Sequence, residues 1–274
     1  MSKLRAALVL MLAWIGVSSG CAHRPAPIVA PAPPSPASAL HEEAARQLSS
    51  IQSMLDAIAV VRGLSLTTRP TLAVLDDADF VAACVAQASA SFAHTGDEAE
   101  WRASGRAASA QTAHQRSCQA MLGFFQPERD RVVLRRSAAE KGSPGRRVEL
   151  LAHELEHAIQ MHALPALSIS ATELDRSRAV KALREGDAVV TAAAFILSLA
   201  GKPLSSSIGE MLARTTALEP KSLHDDDFFS YALGARFVGE LYQRGGFLAV
   251  NDAFARPPRS TAEILHVERY LAPP

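Results

Sequence analysis

His153-Glu154-Leu155-Glu156-His157 is the stretch that most restricts how this 274-residue chain can fold. Two histidines four positions apart grip one ion together only where the backbone between them is helical, because residues i and i+4 then share a face. Glu154 falls on the neighbouring face, within reach of a water held by that ion. Two neutral nitrogen ligands and a carboxylate that takes a proton from water are what a zinc hydrolase requires. The alternative is a surface helix with two solvated histidines. The flanking residues favour the metal. Ser143-Pro144 is a helix-start signal, and Pro165 after Leu164 predicts the end. Leu151, Leu155, Ala158 and Met161 recur at helical spacing and predict a buried stripe. The histidines therefore sit mid-helix, where the backbone is stiffest.

A catalytic zinc takes three protein ligands and leaves a place for water. Downstream candidates are His162, Glu173, Asp175, Glu185 and Asp187. His162 lies five residues past His157 and is expected to point away from the pair. Glu173 and Asp175 belong to a polar stretch that reads as a connection or a solvated helix start. Glu185 is different, because it opens Glu185-Gly186-Asp187-Ala188 ahead of a strongly apolar helix running to Leu199. A carboxylate there is costly to bury unless something positive receives it, and Zn²⁺ would do so. Capping of the helix dipole, or pairing with Lys181 or Arg184, is the alternative. Gly186 and Ala188 are small enough to let this helix approach the histidine helix. Asp187 should face another side of the helix and is given no role. The predicted ligands are His153, His157 and Glu185, with Glu154 as general base.

H-E-x-x-H followed by a glutamate from a downstream helix resembles the gluzincin branch of zinc metallopeptidases, whose best-known fold is thermolysin-like. More narrowly, the chain is similar to a group of uncharacterised bacterial zincin-like proteins. The shared pieces are Gly123-Phe124-Phe125-Gln126-Pro127, the helix from His153 to Gln160, Glu185 to Ala188, and Pro257-Pro258-Arg259-Ser260-Thr261 onward to His266. The likeness spans about residues 65 to 271. It departs at Met161-His162, where a polar pair is expected. The resemblance implies a zinc-dependent peptidase acting on a peptide or protein substrate. It also implies an oxyanion donor in the C-terminal third, for which Tyr231, His224 and His266 are candidates, with Tyr231 and His266 ranked first. Met121–Phe125 and Arg131–Arg135 read as two strands about a turn. In zincins an edge strand of this kind lies above the metal cleft and pairs with extended substrate.

Lys3 and Arg5 followed by the apolar run Ala6–Val17 read as a signal peptide, too short for a membrane span. Val17-Ser18-Ser19-Gly20-Cys21 resembles a bacterial lipobox, with Ser18 where leucine is usual. The expected division is a signal peptide over 1–20, then a lipidated Cys21 and a Pro/Ala-rich tether over 21–40. A helical N-terminal region over 41–120 and a zincin-like catalytic region over 121–274 follow. Ala22 after the cysteine implies an outer-membrane anchor in the bacterial envelope, with the protein facing the periplasm; a cleaved, unlipidated signal is the alternative. The remaining chain suits one domain or two subdomains flanking a cleft. Aromatic residues at 5% within 48% hydrophobic content argue for a predominantly helical α+β fold with a small sheet. Lys and Arg balance Asp and Glu at 28 each, which gives no basic patch for nucleic acid. Oligomeric state leaves no mark on the sequence. Cys84 and Cys118 could form a disulfide in an oxidising periplasm or be two buried thiols. Two further functions compete with the peptidase: a non-catalytic envelope lipoprotein that binds or scaffolds, and a zinc hydrolase of another amide, such as cell-wall material. A binding module has no use for Glu154.

Overall fold

The computed structural model describes residues 51–66, 68–95, 110–141, 143–167, 173–216 and 228–272. Cys21, the leader, the tether and His224 lie outside the described residues. Helix α1 spans 51–62 and leads into strand β1 (Thr71–Leu75). Helices α2 (Asp77–Thr95) and α3 (Ala110–Ala120) follow, then the hairpin β2 (Gly123–Gln126) and β3 (Arg131–Arg135). A short helix, α4 (Arg136–Lys141), precedes α5 (Pro144–Ala163), which carries the histidines, and α6 (Leu174–Leu199), which carries Glu185. After α7 (Ile208–Thr216) comes a π-helical turn, Phe229–Leu233, and then α8 (Gly234–Ala255), α9 (Thr261–Leu265) and α10 (Val267–Leu271). The fold is predominantly helical α+β.

The sheet has the order β1-β3-β2, with β1 parallel and β2 antiparallel to β3. Residues before 120 thus complete the sheet begun by residues after it. Alternation of side chains sends Val132, Leu134 and Phe125 to one face, where they pack with Leu55 and Ile58 of α1 and Leu155 and Ile159 of α5. Val133 and Phe124 face the other way, against Phe80, Cys84 and Cys118. Cys84 and Cys118 are bridged, which joins α2 to α3. A second core lies between α6, α8, α9 and α10.

Helix α5 begins after Ser143 and stops at Leu164, as its Pro residues dictate. Met161 does not complete the expected buried stripe. It is 40% exposed, because the face that turns inward near the C-terminal end carries Ala158, Ile159 and Gln160. Gly186 also departs from expectation. It meets the backbone of Gly234 rather than the histidine helix, and a Cβ on it would come within 2.1 Å of Gly234 C. Helix α8 is broken by a kink at Gly245-Gly246, where Gly246 at φ 62° makes a turn that other residues avoid. Among the described residues, no helix is long and apolar enough to cross a membrane.

Candidate metal centre

Helices α5 and α6 pack against each other, and their contact brings His153, His157 and Glu185 together. One ligand atom from each lies within 4.8 Å of the others. The imidazole rings stand perpendicular, with centroids 4.9 Å apart. Glu185 Oε2 lies 3.3 Å from His153 Nε2 and 3.5 Å from His157 Nε2. Both distances are at the outer limit of hydrogen bonding, and the approaches lack its geometry, so this buried oxygen has no donor. Burial opposes the charge on Glu185, yet the histidines hold its carboxyl well below the usual range. Neither Lys181 nor Arg184 is its partner; Arg184 instead presents its carbonyl to Gln160.

These positions suit a divalent cation. Donors about 2.1 Å from a tetrahedral zinc are about 3.4 Å from each other, close to the two separations from Glu185 Oε2. The ion would supply what the orphaned oxygen lacks, and two imidazoles with one carboxylate are a common zinc set.

Glu154 is buried on α5 next to this group. Burial pushes its carboxyl up to about 7; His153 and a backbone hydrogen bond from Phe125 pull it down, while Glu185 pushes it further up. Strand β2 passes directly over it, which requires Gly123. A Cβ there would lie 3.2 Å from Glu154 Cγ and 2.9 Å from Leu134 Cδ2. Tyr231 projects from the π-helical turn, and its ring stacks on His153 with centroids 5.7 Å apart and planes 24° from parallel.

The other sequence candidates sit elsewhere. His266 lies between α9 and α10, exposed, with Nδ1 3.2 Å from Glu268. His162 does point away, and pins the β2–β3 turn through Asp130 at 2.8 Å. Glu173 precedes α6 and lies within 3.4 Å of Arg176. Asp175 accepts from Thr261 Oγ1 at 2.6 Å and from its backbone N–H at 3.2 Å, capping α9.

Asp187 requires a correction. It does face another side of α6 from Glu185, but that side is buried rather than idle. His157 Nδ1 lies 3.0 Å from Gln160 Oε1, and Gln160 Nε2 donates to Asp187 Oδ2 at 2.9 Å. Arg62, arriving from α1, donates to the same Oδ2 at 3.2 Å and to Glu156 Oε1 at 2.9 Å. All three charged side chains are 0% exposed, and the guanidinium also lies over the Phe247 ring. Burial, with Asp187 beside it, keeps the Glu156 carboxyl well above the usual range despite Arg62. Arg62 thus bridges the Glu156 and Asp187 carboxyls in one buried cluster. Gln160, Asp187, Glu156 and Arg62 were missing from the sequence-derived site. Only Gln160 was legible there, since three residues past His157 is the same helix face.

The chain matches no protein-family model, and no curated protein or solved structure is significantly similar to it.

Proposed function

We propose that this protein is a zinc-dependent hydrolase of gluzincin type, a metallopeptidase with a zincin-like fold tethered to the bacterial envelope through a lipidated Cys21. The observation that carries the reading is the convergence of His153, His157 and Glu185 from two helices, with the buried carboxylate of Glu154 beside them. His153, His157 and Glu185 would hold the ion. Bound there, Zn²⁺ supplies Lewis acidity, lowering the pKa of a coordinated water and polarising a substrate carbonyl.

Glu154 takes a proton on its carboxylate as water attacks the carbonyl carbon, and returns it to the departing amine nitrogen. Burial holds the Glu154 carboxyl above the usual carboxylate range, which suits a group that takes a proton and gives it back. Tyr231, stacked on His153, is the better placed of the two ranked donors to hold the developing oxyanion through its hydroxyl. Exposed His266 is paired with Glu268. Strand β2 lies at one edge of the sheet beside Glu154, so an extended peptide could add to it and pass the reacting atoms.

The test is zinc analysis of the purified protein and a Glu154→Gln variant, together with digestion of a peptide library. Both forms should carry about one zinc, and cleavage should fall by roughly 10²–10⁴-fold in the variant. Zinc without cleavage in the parent would favour the binding or scaffolding protein. Equal cleavage by both forms would remove Glu154 as the base.

A further inference from the structure

We infer that Gln160 is a positioning residue that fixes the tautomer of His157, and that Asp187 and Arg62 in turn fix Gln160. The inference rests on the metal-site reading for its purpose but not for its geometry. The amide of Gln160 has two N–H donors and one acceptor oxygen. Both donors are engaged: Nε2 lies 2.9 Å from Arg184 O and 2.9 Å from Asp187 Oδ2. Neither of those atoms could face an amide oxygen without repulsion, so the orientation of the amide is decided by its surroundings. Oε1 therefore points at His157 and can only accept. At 3.0 Å from Oε1, His157 Nδ1 must carry the hydrogen. A neutral imidazole with hydrogen on Nδ1 has its lone pair on Nε2, the nitrogen facing Glu185 Oε2 at 3.5 Å. The ligand nitrogen is selected before any ion arrives.

The chain of constraint continues outward. Asp187 can hold Gln160 only while its own orientation is set, and Arg62 sets it by donating to Oδ2 at 3.2 Å. Arg62 is oriented by Glu156 Oε1 at 2.9 Å and by the Phe247 ring, 4.5 Å from its guanidinium carbon. A residue 95 positions before His157 thus helps determine which of its nitrogens meets the ion. Helix α1 is part of the site without touching it.

The experiment is long-range ¹H–¹⁵N spectroscopy of the full-length, metal-free protein labelled at histidine, above the pH where imidazole is protonated. His157 is identified by the loss of its signals in His157→Asn. Zinc affinity is measured in parallel by competition with a chelator. The parent should show a pyrrole-type Nδ1 and a pyridine-type Nε2 at His157. Gln160→Met should mix the tautomers and weaken zinc binding by about 10–100-fold. An Nε2–H tautomer in the parent would overturn the inference, and so would a Gln160→Met protein with unchanged tautomer and affinity. If Gln160→Met does not fold, the parent spectrum alone decides. A parent with the stated tautomer but no zinc binding would sink the hydrolase reading and leave the positioning of His157 intact.

Discussion

Adding one methyl group at Gly186 should disrupt the candidate metal centre by prising two helices apart. Gly186 lies where α6 crosses the start of α8, and the fit is mutual: a Cβ on Gly234 would come within 2.1 Å of Ala182 O. At Gly186 the new atom would stand 2.1 Å from Gly234 C and 2.3 Å from Gly234 O. Ordinary contact begins at 3.4 Å, so the crossing must open by about 1.3 Å. The obstruction is backbone, which cannot rotate aside as a side chain would. Overpacking costs about 1–3 kcal/mol, and this case belongs at the upper end. For a chain of this size about 3 kcal/mol lowers the midpoint of thermal unfolding by roughly 6–12 °C. Glu185 is the adjacent residue, and a ligand position is tolerated within about 0.2 Å. Zinc affinity should therefore fall along with stability. Gly209→Ala is the control: a Cβ there, in the first turn of α7, meets nothing within 4 Å. It should not lower the melting temperature and should leave zinc binding alone. Calorimetry and chelator competition on both variants give the answer. A Gly186→Ala protein that melts with the parent and binds zinc equally would refute the close-crossing argument.

Two further outcomes are expected. Arg62→Met strands Asp187 as a buried charge, which should cost about 3–5 kcal/mol, whereas Arg62→Met/Glu156→Gln/Asp187→Asn should recover most of that loss on denaturant titration; equal losses in both would deny the ion pair. Glu149 is half-buried on α5, and burial raises its carboxyl to about 7 against the pull of Arg146. Its folded pKa exceeds its unfolded one, so the protein binds this proton more tightly than the unfolded chain and loses stability as pH rises from about 4.5 through about 7. Glu149→Gln should flatten that slope in melting curves taken across the range, and an unchanged slope would place the titration elsewhere.

What could be read from the sequence was whatever local geometry determines. The histidine pair, the start of α5 after Ser143 and its stop before Pro165, and the hairpin around Pro127 depend on residues within a few positions of each other. Glu185 was legible for a thermodynamic reason: a carboxylate on an apolar helix needs a positive partner. Asp187 was misjudged because a helical wheel tells which side a residue faces but not what waits there. What waits is Gln160 and an arginine 125 residues earlier in the chain. Arg62 has no local signature, since its partners are set by how α1 docks on α5 and α6. Gly186 was seen as a close-approach position, but which helix approaches depends on the tertiary fold, and the partner is Gly234. Met161 shows the same limit, because one helical stripe drifts as the neighbours that cover it change.

Zinc-edge X-ray absorption on the purified, zinc-loaded protein tests the centre most directly. The expected result is one ion per chain with two imidazole nitrogens at about 2.0–2.1 Å and oxygen donors at about 2.0–2.2 Å, from Glu185 and solvent. Glu185→Ala should lose that first-sphere pattern or the ion itself. A protein that takes up no stoichiometric zinc, or whose spectrum is unchanged in Glu185→Ala, would contradict the three-ligand site.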